Sequence, residues 1–302
     1  MIKLLLALAG LLCPVHAWAQ FSDPRTYENA PVGTSQIEVG YAYAHGDTSI
    51  DTSVPVTGAQ LNLHQAMIGY TRYFGWLHRL TWVEAGVPLA NVAGSISGTN
   101  IHRSTSGAGD SSYSFGMLLK GGPALSPAQY ADYMPGTTVG VRFTATAPTG
   151  AYDPDRILNL GADRWTLKPE VGLSRPFGPD KKWVFDGYAN VAFYTDNTSY
   201  HGRQILRQEA LPGLEGHISY SFSDKVWTSL DARYSFRAAT LLDGINQDNP
   251  QQNFIVGTET SFSLGSRHSL TVVVGKTLAH RNGPAVTGVS LKYDYSWGTG
   301  DP

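Results

Sequence analysis

The sequence predicts an all-β chain, a transmembrane antiparallel β-barrel of about twelve strands, on three observations. Apolar and polar residues alternate in segments of about ten residues separated by turn residues, the pattern of strands with one face to lipid and one to water. No run of 18 apolar residues follows the N-terminal region, so no transmembrane helix is expected. Long and short connections alternate along the chain, and four tryptophans fall at strand ends on the short-connection side. A spanning sheet must close on itself, because lipid cannot satisfy an open edge.

Residues 1–19 read as a secretory signal peptide. Lys3 supplies the positive charge, Leu4 to Leu12 the short apolar stretch, and Ala17-Trp18-Ala19 the cleavage pattern. Nine apolar residues are too few to span a bilayer core, which needs about 20. The only cysteine, Cys13, lies inside this leader, preceded by Leu12 and followed by Pro14, which does not suit lipidation. The processed chain then has no disulfide, metal thiolate or thiol nucleophile. Removing Lys3 leaves 22 − 1 = 21 basic against 24 acidic residues, a net charge of −3, which gives no basis for nucleic-acid binding. Residues 20–35, with Pro24 and Pro31, are expected to form an extended periplasmic lead-in, and residues 36–302 a single barrel domain.

The strand segments follow in order. Ile37, Val39, Tyr41 and Tyr43 share a face in the first, opposite Glu38, Gly40 and Ala42. Ala66, Ile68 and Tyr70 mark the second, Val83, Ala85 and Val87 the third, and Phe115 and Met117 the fourth. Val139, Val141 and Phe143 oppose Arg142 in the fifth, and Leu167, Val171 and Leu173 oppose Lys168 and Glu170 in the sixth. The seventh sets Phe185, Ala189 and Val191 against Asp186, the eighth Leu214, Ile218 and Tyr220 against Glu215 and His217. The ninth sets Leu230, Ala232 and Tyr234 against Asp231 and Arg233, the tenth Phe254, Val256 and Phe262 against Glu259. Leu270, Val272 and Val274 mark the eleventh, and Val289, Leu291 and Tyr293 oppose Lys292 and Asp294 in the twelfth. Counts of 10 or 14 strands also fit the pattern.

Tight turns are expected at 75–79, 178–181, 223–225 and 265–267. Longer loops are expected at 45–59, 90–110, 148–165, 196–210 and 238–252. Long loops lie outside and short turns inside in outer-membrane barrels, so an even strand count puts both termini in the periplasm. Trp76, Trp183, Trp227 and Trp297 then form a periplasmic aromatic girdle. One short-side connection, 121–136, is long. Its Ser126-Pro127 start predicts a short periplasmic helix over 126–133.

The polar faces nominate a lumen lining of Glu38, Arg142, Lys168, Glu170, Asp186, Glu215, His217, Asp231, Arg233, Glu259, Lys292 and Asp294, to which Arg237 and Lys276 are added on charge. This set either lines an aqueous path or fills a narrow barrel with paired charges, since about eight strands give a filled interior and 16–18 a channel. Asp153, Asp155, Arg156, Asp163 and Arg164 in the loop 148–165 either form a constriction in the mouth or hold a surface loop together. Neither a phosphate-binding glycine motif nor a metal-ligand spacing is present, so no cofactor or metal is expected.

From Gly107 onward the chain resembles the outer-membrane protein family named after the meta-pathway of phenol degradation. The resemblance is carried by Gly107-Ala-Gly-Asp110, Leu125-Ser-Pro-Ala-Gln-Tyr130, Ala147-Pro-Thr-Gly-Ala-Tyr-Asp-Pro154, Leu158-Asn-Leu-Gly161, Arg164-Trp165 and Lys168-Pro-Glu170. It continues at Phe193-Tyr-Thr-Asp-Asn197, Trp227-Thr-Ser-Leu-Asp231 and Asp243-Gly244. Asp163 stands where the family usually has Asn, and Ala238-Ala239 where it often has a glycine pair. The resemblance implies passive uptake of small organic, often aromatic, compounds through the outer membrane. A filled barrel serving as a structural or adhesion element is the alternative. A third reading, a lipolytic enzyme, rests on His217 and Ser219 two apart, as in outer-membrane phospholipases. Here Tyr220-Ser221-Phe222 follows in place of their Asn-Gly-Arg, and no third catalytic group is identifiable, so no enzyme is expected. The expected partners are outer-membrane lipid, a small solute and, through the aromatic-ended last strand Val289 to Trp297, the barrel-assembly machinery.

Overall fold

The computed structural model describes residues 22–47, 59–96, 102–156 and 158–298. The expected signal peptide lies outside the described residues.

Alternation produces long strands throughout. The first part of the chain forms β1 (Ser35–Asp47), β2 (Ala59–Trp76), β3 (Arg79–Ile96), β4 (His102–Ala108), β5 (Ser111–Lys120) and β6 (Thr138–Ala147). The middle forms β7 (Thr166–Phe177), β8 (Trp183–Tyr194), β9 (Asn197–Tyr200), β10 (Gln204–Gln208), β11 (Leu211–Ser223) and β12 (Val226–Phe236). The last part forms β13 (Thr240–Leu242), β14 (Ile245–Asn246), β15 (Gln252–Ser263), β16 (His268–Arg281) and β17 (Ala285–Trp297). Strands β1, β2, β3, β5, β6, β7, β8, β11, β12, β15, β16 and β17 pair antiparallel in a ring, and β1 closes it by pairing with both β2 and β17. The twelve-stranded barrel is thus the architecture expected from the sequence. The short helix α1 (Pro127–Tyr130) has Ser126 as its cap in a capping box with Gln129.

Several boundaries differ from the sequence expectation. The loop expected over 90–110 is largely strand: β3 continues to Ile96 and β4 pairs back along it. At 18 residues each, β2 and β3 exceed the roughly 9–11 that span a membrane, so this hairpin projects past the wall at the long-loop end. The loops expected over 196–210 and 238–252 carry β9, β10, β13 and β14, which form a separate four-stranded sheet. The connection from β16 to β17 is a tight one at 282–284.

The faces sort as expected. Ile68, Leu214, Leu230 and Val289 are exposed on the outer wall, and Trp76 and Trp183 are exposed at the short-turn rim. Lys276 is a correction: it is in phase with Val272 and Val274, exposed on the outer face, while Val273 and Thr277 are buried inward. Lys276 stands five residues from the long-loop end of β16, where its stem reaches polar surroundings. Arg237 also departs from the lumen set. It follows the end of β12 with a positive φ of 68° and is exposed.

The lead-in is the largest correction. Residues 22–34 do not extend away from the barrel but run up inside it from the short-turn end. Ser22 and Tyr27 are fully buried, and Tyr27 packs against Leu80, Trp82, Leu118 and Tyr188 of the inner wall. A twelve-stranded ring is too wide for its own side chains to fill, and this segment occupies the space. We expect Leu230→Arg, at the middle of the outer face of β12, to cost about 2–4 kcal/mol in urea unfolding from lipid vesicles.

Candidate functional site in the barrel lumen

Two obstructions lie along the lumen. The lower is the segment 22–34, called the plug below. Its root is pinned at the short-turn mouth by Val32 N–H to Leu125 O (2.8 Å), Gly33 N–H to Tyr73 O (3.0 Å) and the Tyr130 hydroxyl to Asn29 O (2.8 Å). Gly140 and Gly172 face each other across β6 and β7 and make the socket for the next residue inward. A Cβ at Gly140 would lie 2.6 Å from Tyr27 Cδ1, and one at Gly172 would overlap the Tyr27 ring. The absence of side chains at these two positions is what admits the ring.

Beyond Tyr27 the plug meets the predicted lumen residues. Ser22 Oγ donates to Glu170 (2.7 and 2.8 Å to its two oxygens), and Ser22 N–H donates to Glu215 Oε2 (2.9 Å). The Arg142 guanidinium donates to Ser22 Oγ, and Arg233 Nη2 to Ser22 O at 3.2 Å. The Tyr27 hydroxyl also reaches Glu170 (3.0 Å). Arg142 and Lys168 flank Glu170 at 3.4 and 3.8 Å, and Asn190 bridges Glu170 and Glu215. Lower down, Arg25 N–H donates to Asp186 (3.1 Å), its side chain reaches Ser219 and Ser221 (both 2.9 Å), and it lies over the Trp227 ring. Across the lumen Lys292 holds Asp23 at 2.7 Å and Glu259 at 3.6 Å. Confinement among protein atoms would raise the Asp23 carboxyl, but the Lys292 ammonium outweighs this and holds it below the usual carboxylate range.

All twelve predicted lumen residues therefore face inward, and eight of them meet in one lattice around the plug: Arg142, Lys168, Glu170, Asp186, Glu215, Arg233, Glu259 and Lys292. Asp294 accepts from Gln36 and Ser269 away from it, and Glu38 is half-buried beside Gly40. His217 Nδ1 bonds Asp231 at 2.8 Å, whereas the Ser219 hydroxyl is engaged by Arg25, and both lie under the plug rather than toward lipid. This arrangement gives the lipolytic reading no exposed nucleophile. Sequence reasoning missed the plug contacts of Ser22, Asp23, Arg25 and Tyr27.

The upper obstruction is the loop 148–165. Leu158 and Leu160 turn inward and are buried against Ala44, Leu61, Leu63, Ala90 and Val92 of the upper inner wall. The loop folds inward through these leucines rather than through its charges. Asp153 and Arg156 pair at 3.1 Å on the exposed side, Asp155 is exposed, Asp163 binds Ser199, and Arg164 is buried with Gln208 and over the Tyr194 ring at 4.5 Å. The hinge of the fold is Asp110, whose two oxygens accept from Gly150 N–H (2.8 Å) and Ala162 N–H (2.9 Å). Gly150 lies against the Gly109 backbone and Gly161 against that of Gly150, so three separated motif pieces of the sequence meet at one knot. Asp110 stood in a quoted motif but not among the candidate residues.

The sequence profile of the family described as "Putative MetA-pathway of phenol degradation" matches residues 34–293. No curated protein matches the chain. Among solved structures, an outer membrane channel from Pseudomonas putida F1 is similar, with a TM-score of 0.79 at 21% identity, covering 92% of this chain and 100% of that one. The transport unit of the autotransporter AIDA-I from Escherichia coli gives 0.51 at 9% identity over 97% and 96% of the two chains. The beta domain of the Bordetella autotransporter BrkA gives 0.50 at 10% identity over 86% and 98%. The fold is that of outer-membrane β-barrels.

Two variants test the lattice through trypsin cleavage after Arg25, which the docked plug protects. Gly172→Ala should unseat Tyr27 and speed that cleavage at least tenfold without unfolding the barrel. Glu170→Gln, which leaves Arg142 and Lys168 short of their counter-charge, should do the same, because breaking one side of a buried ionic cluster costs about 3–5 kcal/mol.

Proposed function

The chain belongs to the phenol-degradation MetA-pathway family, and on that premise we infer that it is an outer-membrane channel for small organic solutes, closed at rest by its own N-terminal segment. The observation that carries this reading is the kind of filling in the lumen. The wall's own side chains do not close the barrel; the strand-free segment 22–34 does, held by the packed Tyr27 ring and by hydrogen bonds and ion pairs. Withdrawing 22–31 toward the short-turn end, taken as the periplasmic end, would leave a lumen lined by both signs of charge. Above it the solute would pass Leu158 and Leu160. The family likeness supports an organic, aromatic-type cargo.

The occlusion itself favours a second reading, a permanently filled barrel acting as a structural or adhesion element through its long loops. Planar-bilayer recordings separate the two. The full processed chain should conduct weakly, and a variant lacking residues 22–31 should conduct in steady, large steps. Equal silence from both, with unchanged solute uptake in a deletion strain, supports the filled barrel.

The same recordings have a pH dependence. Asp23 is depressed in the docked state, so its contact with Lys292 favours docking above the ordinary value of 3.8 and is lost as pH falls through the lower docked value. Over the range from about pH 7 to pH 3 the Asp23–Lys292 contact therefore contributes a rise in conductance confined to below about pH 4. Asp23→Asn should be open-prone across that range.

A further inference from the structure

The short-turn end of the barrel carries a charge pattern that neither the lumen lattice nor the plug uses. Every described connection at that end brings a cation to the rim. The β2–β3 turn has Arg79, the β7–β8 turn Lys181 and Lys182, the β11–β12 turn Lys225 and the β15–β16 turn Arg267, while Lys120 ends β5. Arg72 and Arg175 stand just above them on the wall, in phase with the exposed Tyr70 and Val171 and therefore on the lipid side. Three acids, Asp132, Asp180 and Asp224, stand among these eight cations, so five positive charges are unbalanced among the described residues of the rim. The whole chain carries a net charge of −2, so the excess belongs to this end and not to the composition. At the plug root, Arg25 and Glu28 answer each other at 4.0 Å and leave that balance unchanged.

The cations lie at the level of the rim tryptophans. Arg79 is the register partner of Trp76, Lys182 precedes Trp183, and Arg72 faces Ser35, which in turn faces Trp297. Trp76 and Trp183 are exposed, and exposed indoles on a spanning wall mark the headgroup layer. Lys120, Arg175, Lys182 and Lys225 are exposed, and among the described residues no carboxylate comes within ion-pair distance of them.

We propose that this rim is a docking ring for anionic phospholipid headgroups in the leaflet at the short-turn end. Charge complementarity selects the occupant: a headgroup with net negative charge balances the ring, whereas a zwitterionic one brings a cation of its own to it. The lipid-facing places of Arg72 and Arg175 favour a bilayer over the acidic polymer of the cell wall, which would meet only the turns. One or two cations per headgroup make the expected preference about 5–30-fold. Bound lipid would hold the barrel at a fixed height in the membrane, and the ring stands whether or not the barrel conducts.

The test uses the full processed protein in detergent micelles, given equal amounts of phosphatidylglycerol and phosphatidylcholine of the same acyl chains, with bound lipid counted by native mass spectrometry. Wild type should retain phosphatidylglycerol about 5–30-fold better. Lys120→Gln, Arg175→Gln, Lys182→Gln and Lys225→Gln combined should lower that preference at least about threefold. The same number of exposed cations removed at the long-loop end, by Arg103→Gln, Arg203→Gln, Lys276→Gln and Arg281→Gln combined, should leave it within about 1.5-fold of wild type. On wild type alone, raising ammonium acetate from about 0.1 M to about 0.5 M should shrink the preference, which a preference for the glycerol hydroxyls would not show. No preference in wild type, a preference indifferent to salt, or equal loss in both combined variants overturns the ring. Co-sedimentation with cell-wall sacculi that the short-turn variant loses, in a protein without lipid preference, overturns it in favour of the wall polymer. Bilayer conductance is independent of these readouts, so failure of the channel reading is distinguishable from failure of this one.

Discussion

In the hydrocarbon of a membrane no backbone N–H or C=O can go unpaired, and this single constraint fixes the rest of the molecule. It forces the sheet to close, which β1 does by pairing with β2 on one side and β17 on the other. Closure of twelve strands sets a diameter between those of filled and open barrels. That diameter creates an interior which the wall's side chains do not fill, and the N-terminal segment and the loop 148–165 enter it from opposite ends. The two obstructions differ in chemistry. The upper one is an apolar contact of leucines on alanine, leucine and valine. The lower one joins an apolar cluster around Tyr27 to buried carboxylates and guanidinium groups around Ser22.

This difference has an energetic reading. An apolar contact inside a water-accessible barrel is held by burial alone, without geometric demand. A buried ionic lattice has a large desolvation cost and a large Coulombic return, and its net contribution to stability is small while its geometric demand is high. The ionic part of the lower plug therefore fixes its seating more than it adds to its hold. Ser22, with Glu170, Glu215, Arg142 and Arg233 on its few polar atoms, defines the seat.

Much of the wall was legible in the sequence because a period of two residues is a direct consequence of the pleat. Strand number and the inward set followed from it; of the expected rim tryptophans, Trp227 turns inward instead, in phase with Ser229 and Asp231 and beneath the Arg25 guanidinium. Strand ends did not, since β4 is polar on both faces and β3 beyond Leu89 turns apolar Ala90 and Val92 to the inside, against the polar-inward alternation of the wall. Lys276 was misplaced because its charge was weighed above its parity with Val272 and Val274; near the end of a long strand the outer face is no longer in hydrocarbon. The plug was illegible because Ser22 to Thr34 has no period and two prolines. Its docking is a property of Gly140 and Gly172, more than a hundred residues away, whose pairing across two strands appears only once the register is known. Asp110 was hidden for the same reason: its partners, Gly150 and Ala162, are neighbours only after the loop has folded back.

The plug is continuous with β1, the strand that seals the ring against β17. The first and last strands of the chain must find one another across the whole sequence, the slowest kind of contact for a chain to make. The thread in the lumen is the segment from Ser22 to Thr34. Its root hangs from Ser35, the first residue of the seam. A barrel whose seam parts would lose its stopper in the same event. The molecule thus ties the integrity of its wall to its tightness toward solutes, and a half-assembled copy would leak.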